Sequence, residues 1–212
     1  FEVGYRTTLF DKLYVDAGYY YSIYDNFLGF RVGVDLDYTT AGGPITIQQI
    51  QAFRYAANST NQVTTQGFSL GLNYYLWQNY TVNGNYSFNR LNRTFPDDPI
   101  IPAFNTPEHK FNFGFAGRNL RVPGNFFKTM GFSINYKWIE GFLFEGSPQF
   151  TGFVPTYDML DAQVNFSIPS ISSILKIGAS NVLDNQQFQT YGGPRIGRLA
   201  YISLTYEPGS VK

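Results

Sequence analysis

Residues 66–91 read QGFSLGLNYYLWQNYTVNGNYSFNRL, and their pattern decides the fold class. At a period of two, Phe68, Leu70, Leu72, Tyr74 and Leu76 fall on one side, and Gly67, Ser69, Gly71, Asn73 and Tyr75 on the other. After Trp77-Gln78-Asn79 the alternation resumes, with Tyr80, Val82, Gly84, Tyr86 and Phe88 opposite Thr81, Asn83, Asn85, Ser87 and Asn89. Successive side chains of a strand point to opposite faces, so this stretch is expected to form a long antiparallel hairpin. A soluble sheet also buries one apolar face; the polar face separates the two cases. Here it carries Asn, Ser, Gly and Thr almost without charge, where a water-facing sheet carries Lys and Glu. Each strand is about ten residues long, enough to cross a bilayer at a steep tilt. The apolar face is therefore expected to meet lipid. Asn73, Asn83, Asn85, Asn135 and Gln163 are expected to face a lumen.

Composition agrees. Of 212 residues, 14% are charged, against about a quarter in soluble proteins. Aromatics make up 19%, with 17 Tyr and 21 Phe, which suits a sheet with aromatic girdles at both membrane interfaces. No run of about 18 apolar residues offers a spanning helix. Net charge is +0 and basic residues are scattered, which argues against a nucleic-acid partner. Cysteine is absent and His109 is the single histidine. Thiolate chemistry is thereby excluded and a histidine metal site disfavoured; no metal and no cofactor are expected.

Outward from the central hairpin, the same alternation recurs. Phe1, Val3, Tyr5 and Thr7 alternate with Glu2, Gly4, Arg6 and Thr8, so the sequence opens inside a strand. A turn at Phe10-Asp11-Lys12 leads to a second strand over residues 13–23. Residues 24–62 are expected to be a long loop with extended strand ends. Residues 91–107 form another, with Pro96-Asp97-Asp98-Pro99 at its tip. Further strands follow around Phe113, Ile134, Val164, Ile177 and Ile202, separated by connections at 117–129, 139–158, 169–173 and 184–197. The total is about nine strands, up and down in order, in one all-β segment spanning residues 1–212. Short and long connections alternate, as in outer-membrane barrels, where periplasmic turns are short and extracellular loops long. The connection at 117–129 is longer than this rule expects.

Nine is odd, whereas bacterial single-chain barrels have even strand numbers. An open sheet leaves backbone groups unpaired in hydrocarbon. A small barrel also fills its interior with bulky side chains, and Gly, Ser and Asn leave space. The segment is thus expected to be part of a larger barrel with something else inside it. The start at Phe1, without Met or signal peptide, fits an incomplete reading frame.

Three stretches carry a resemblance: residues 9–27 (LFDKLYVDAGYYYSIYDNF), 67–76 (GFSLGLNYYL) and 175–186 (LKIGASNVLDNQ). They resemble late barrel strands of TonB-dependent outer-membrane receptors, particularly those of Bacteroidota. Asn181-Val182-Leu183-Asp184 is similar to that family's Asn-Leu-Phe-Asp near the last extracellular loop, and residues 201–206 (YISLTY) to its final strand. The resemblance implies a 22-stranded barrel in the bacterial outer membrane, filled by an N-terminal plug and energised by TonB. Neither plug nor TonB-contacting box is visible in this stretch. Implied partners are the N-terminal barrel strands and plug, the TonB complex through the plug, lipid and lipopolysaccharide. A surface lipoprotein of the SusD-like kind is a further candidate. The family commonly ends on an aromatic residue, whereas here Tyr206 is followed by six more residues.

Loops held by a rigid scaffold carry recognition. Candidate ligand contacts are therefore Arg93, Asp97, Asp98, Glu140, Glu145, Gln187, Tyr191 and Arg195. Asp97 and Asp98 alone are too few oxygens for calcium, and Asp-Pro is a turn former. Arg90, Arg93, Arg195 and Arg198 could meet anionic groups of a solute, against the plainer role of touching lipopolysaccharide or solvent. Trp138 fits a girdle residue. His109 beside Glu108 lacks a nucleophile in a plausible constellation, so no enzyme activity is expected. Two functions remain. One is TonB-dependent uptake of a scarce solute: a siderophore, cobalamin, oligosaccharide or peptide. The other is a structural or docking segment that completes a multi-subunit outer-membrane complex without transport of its own.

Overall fold

The computed structural model describes residues 1–39, 42–44, 46–92, 104–146 and 150–208. In chain order the strands are β1 (Glu2–Leu9), β2 (Leu13–Tyr24), β3 (Leu28–Thr39), β4 (Thr46–Asn58), β5 (Val63–Leu76), β6 (Tyr80–Asn92), β7 (His109–Arg121) and β8 (Thr129–Ile139). They continue with β9 (Phe142–Glu145), β10 (Thr151–Val154), β11 (Tyr157–Ile168), β12 (Ser173–Ser180), β13 (Gln187–Phe188), β14 (Arg195–Ile196) and β15 (Leu199–Tyr206). The decisive hairpin is β5 with β6, paired from Thr64↔Asn92 to Leu76↔Tyr80 around the expected turn.

Nine strands form one antiparallel sheet in the order β1-β2-β5-β6-β7-β8-β11-β12-β15. The remaining six pair among themselves as hairpins within the long connections: β3 with β4, β9 with β10, β13 with β14. The expectation of a loop over residues 24–62 is therefore corrected. It is a second long hairpin, running from Leu28↔Asn58 to Thr39↔Thr46 with an irregularity between Asp37 and Tyr38. In β3, Leu28, Phe30, Val32, Val34, Leu36 and Tyr38 alternate with Gly29, Arg31, Gly33, Asp35 and Asp37, whereas Gln48 and Gln49 interrupt the period in β4, which hid the hairpin. The connection at 117–129 is also shorter than its sequence suggested. An irregularity between Gly117 and Leu120 lets β7 continue to Arg121, with Asn119 in the left-handed region at φ 53°. Such bulges insert a residue without ending the pairing.

Connections alternate between the two ends of the sheet. One end carries the short turns after β1, β5, β7 and β11; the other carries the long connections after β2, β6, β8 and β12. The first short turn has Phe10 and Asp11 at φ 53° and 54°, with Lys12 N–H donating to Leu9 O at 3.1 Å. Two central residues with positive φ match the twist of a tight hairpin. All four short turns present an exposed apolar side chain: Phe10 (87%), Trp77 (80%), Phe126 and Ile171.

The register sorts the side chains into two faces. On one, Val15, Leu72, Gly84, Phe113, Tyr136 and Leu160 form a cross-strand row, followed by Leu13, Tyr74, Val82, Phe115, Ile134 and Ala162. Aromatic neighbours meet across strands on this face, as in Phe111–Trp138 at 5.5 Å and Phe115–Phe132 at 5.3 Å between ring centroids. Each such pair adds about 0.5–1.5 kcal/mol beyond its burial.

These strands enclose almost no core of their own. Among the described residues, the buried apolar side chains are Val63, Val154, Tyr157 and Ile168. The chain exposes 14313 Å², against roughly 10,000 Å² for a compact monomer of this mass. Phe68, Leu72, Phe111, Phe113, Ile134 and Ile177 are all exposed on the apolar face. A contiguous apolar surface of this extent marks contact with another protein or with lipid. Hydrogen bonding between strands, not a packed interior, holds the sheet together.

Candidate functional site

The opposite face is the polar wall expected from the alternation. Tyr14, Asn73, Asn83, Gly114, Asn135 and Asp161 make one row. Asp16, Gly71, Asn85, Asn112 and Lys137 make the next. Gln163 lies on the same side, opposite Ser133. The five Asn and Gln residues singled out from the sequence therefore share one face. The wall is not free of charge, as the central hairpin alone suggested: it carries two ion pairs, and Lys110 and Lys176 also lie on it. Arg6 Nε donates to Asp16 Oδ2 at 3.0 Å, and Lys137 Nζ lies 3.3 Å from Asp161 Oδ2. Two tyrosines lean along the wall onto glycines: Tyr20 over Gly67 and Tyr201 over Gly178. Their hydroxyls donate to Asn89 Oδ1 at 3.0 Å and Gln163 Oε1 at 2.8 Å. A side chain larger than Gly at either place would lift the ring off the wall.

At the long-connection end, a pocket of about 590 Å³ opens between β6, the segment before β7, and β9. Arg90, Phe104, Glu108, Glu140, Phe142 and Glu145 are among its lining residues. Glu140 and Glu145, both expected at the loops, are thus brought together. Glu140 Oε2 accepts the His109 backbone N–H at 3.1 Å, and Arg90 Nε lies 3.7 Å from Glu108 Oε1. His109 and Glu108 do not work as a pair: the imidazole Nδ1 sits 2.6 Å from Tyr86 Oη and packs beside Phe88, while the carboxylate faces Arg90. Gln187 begins β13, and Arg195 in β14 stacks on Phe188 with Cζ 4.6 Å from the ring centroid. Tyr191 sits in the turn between these strands, with its ring against Gly152 of β10. Arg93, Asp97 and Asp98 lie outside the described residues.

A model of the family described as TonB dependent receptor-like, beta-barrel matches residues 1–182. The chain belongs to this family. No curated protein matches it in sequence. Among solved structures it resembles the copper transporter OprC (TM-score 0.66, 13% identity). It also resembles the siderophore receptor PirA from Acinetobacter baumannii (0.63, 15%) and the FrpB iron transporter from Neisseria meningitidis (0.60, 13%). The alignments cover 96–97% of this chain but only 30–31% of those chains. The chain therefore spans about a third of the length of the receptors it matches.

In this TonB-dependent receptor barrel, the Asn-Val-Leu-Asp stretch acts as a knot at the base of the last long connection. Asn181, only 3% exposed and at φ 52°, donates from Nδ2 to Asn185 O at 2.9 Å and Ile196 O at 3.3 Å. Its Oδ1 accepts from Asn185 N–H at 3.0 Å. Asn185 Nδ2 in turn reaches Asp158 O at 3.1 Å, and Asp184 Oδ1 accepts the Arg198 N–H at 2.8 Å. Both strands leaving the loop are fastened by side chains where the ladder stops, since backbone groups must find partners somewhere. Sequence reasoning recognised the motif but missed Asn185; the tendency of Asn to bond its own backbone near turns was the available signal. Asn181→Ala strands several buried groups at about 1–3 kcal/mol each. The expected outcome is faster tryptic cleavage at Arg195 and Arg198 with the nine-stranded sheet unchanged, read by limited proteolysis. Equal cleavage rates in both forms would show that the knot holds nothing.

Proposed function

We propose that this chain is the carboxy-terminal barrel portion of an outer-membrane active-transport receptor for a scarce solute. The solute is a siderophore, cobalamin, oligosaccharide or peptide. The observation that carries this reading is the family match over a sheet with no core of its own, apolar on one face and polar on the other. The apolar face meets lipid, because no other solvent tolerates so many exposed Phe, Leu and Ile side chains on paired strands. Asn73, Asn83, Asn85, Asn135 and Gln163 line the lumen. Neutral amides dominate this wall and two of its charged pairs, Arg6–Asp16 and Lys137–Asp161, are mutually matched, so it binds a passing solute weakly enough to release it.

The short turns are periplasmic and the long connections extracellular, as in barrels of this type. Phe10, Trp77, Phe126 and Ile171 then lie near the inner interface, where amphipathic and apolar anchors are favoured. The remaining barrel strands pair with β1 and β15, whose outer edges carry no partner within the sheet. The plug fills the lumen and transmits the action of TonB. Arg93, Asp97, Asp98, Glu140, Glu145, Gln187, Tyr191 and Arg195 contact the solute at the extracellular rim.

A second reading rests on the β3–β4 hairpin. Leu28, Val32, Val34, Leu36 and Ile50 are exposed on it, outside the nine-stranded sheet. Apolar side chains beyond the bilayer suit the seating of a surface lipoprotein, with the barrel as a docking segment. Deleting residues 187–194, and in a second variant the β3–β4 hairpin (residues 28–58), distinguishes the two. Transport predicts a fall in solute uptake by cells in which the barrel still assembles as a heat-modifiable species. Unchanged uptake with lost co-purification of a partner favours docking instead.

A further inference from the structure

Three of the four long connections are fastened to one another by contacts that none of them makes alone. The first joins the segment before β7 to β9. Glu145 N–H donates to Asn105 Oδ1 at 2.7 Å, and Asn105 Nδ2 donates back to Glu145 O at 3.2 Å. This is the pairing of a strand ladder, supplied by one amide side chain. The second joins the β9–β10 hairpin to the β13–β14 connection through two reciprocal ring-on-glycine contacts. The Tyr191 ring lies so close to Gly152 that a Cβ there would overlap it. The Phe150 ring lies on Gly192, where a Cβ would fall 2.6 Å from Phe150 Cδ1. Gly192 is also at φ 75°, so this position favours glycine on two counts. Each connection thus supplies one ring and one glycine to the other. The β13–β14 connection is itself tied to β11 through Asn185 and Asp158.

Rings seated on glycine backbone leave no gap for a small displacement. Close-packed contacts hold one arrangement or break to another, rather than stretching continuously. An amide paired through both its donor and its acceptor behaves alike.

We propose that residues 104–108, the β9–β10 hairpin and the β13–β14 connection move as one interlocked body. A molecule that displaces any one of them displaces all three. The sheet beneath stays fixed, because its strands are joined by continuous ladders.

The test is hydrogen–deuterium exchange on the intact outer-membrane protein in detergent micelles, followed peptide by peptide. Asn105→Ala removes the first link without touching β13 or β14. The expected result is several-fold faster exchange in residues 142–154 and also in 187–196, with β5–β8 unchanged. Acceleration confined to 104–108 and 142–146 would overturn the proposal. Tyr191→Ala approaches from the other side, and exchange should rise in 142–154 and reach 104–108. A change limited to 187–196 would again overturn it. The double variant should exchange faster than either single variant, and in all three segments together, since one opening then loses both links. Exchange rates do not depend on which solute is carried, so this inference is judged separately from the transport reading.

Discussion

Arginine placed at Leu72, Val82, Ile134 or Val164 is expected to destabilise the barrel by roughly 2–4 kcal/mol where the site lies near mid-membrane. Each of these residues lies on the apolar face: Leu72 opposite Val15 and Gly84, Val82 opposite Tyr74 and Phe115, Ile134 opposite Phe115 and Ala162, Val164 opposite Phe132 and Ile177. A guanidinium there must snorkel past aromatic neighbours to reach water, or draw water into hydrocarbon. The same substitution at Asn73, Asn83, Asn135 or Gln163 meets amides and a solvated lumen, and its effect should be much smaller. Urea unfolding of the intact protein in lipid vesicles measures both sets. Equal losses on the two faces would reverse or abolish the proposed orientation. Leu72 and Val164 each lie four residues from the short-turn end of their strand, β5 and β11, so comparable losses are expected at the two.

Residues 1–212 expressed alone are expected not to yield a stable monomeric barrel. The sheet ends on β1 and β15, which do not pair with each other. Both edges therefore present rows of unpaired N–H and C=O groups. In hydrocarbon each such group costs several kcal/mol, which no side-chain contact in this sheet offsets. In water the edges are templates for further strand pairing, and the near absence of buried apolar side chains gives no core to resist it. The expected product is aggregate, or a species that folds only with the complementary strands supplied. A heat-modifiable, protease-resistant monomer in detergent would contradict this and require β1 and β15 to close upon each other.

Much of the architecture is legible in the sequence because its signal is local. Period-two alternation depends only on the geometry of one strand, so the nine strands of the sheet, their order and the turns at Phe10, Trp77 and Pro169 follow from it. The two-faced character of the wall follows too, since Asn73 and Asn83 are assigned to a face by their own strands before any pairing is known. Family membership was legible through the same patterns together with Asn181 and Asp184. What the sequence could not decide depends on residues that are distant in the chain. The β3–β4 hairpin was legible only in part: β3 alternates, but Gln48 and Gln49 interrupt the period in β4, and the pairing of the two strands is a matter of register. Pairing of Arg6 with Asp16 and of Lys137 with Asp161 needs the register of neighbouring strands. The meeting of Glu140 with Glu145 at one pocket needs the bend that returns β9 toward β6. The contacts of Asn105 with Glu145, and of Tyr191 with Gly152, join loops separated by some forty residues. Such contacts carry no periodic signature. They exist only once the sheet has brought the ends of its strands together, and at that level tertiary structure alone decides.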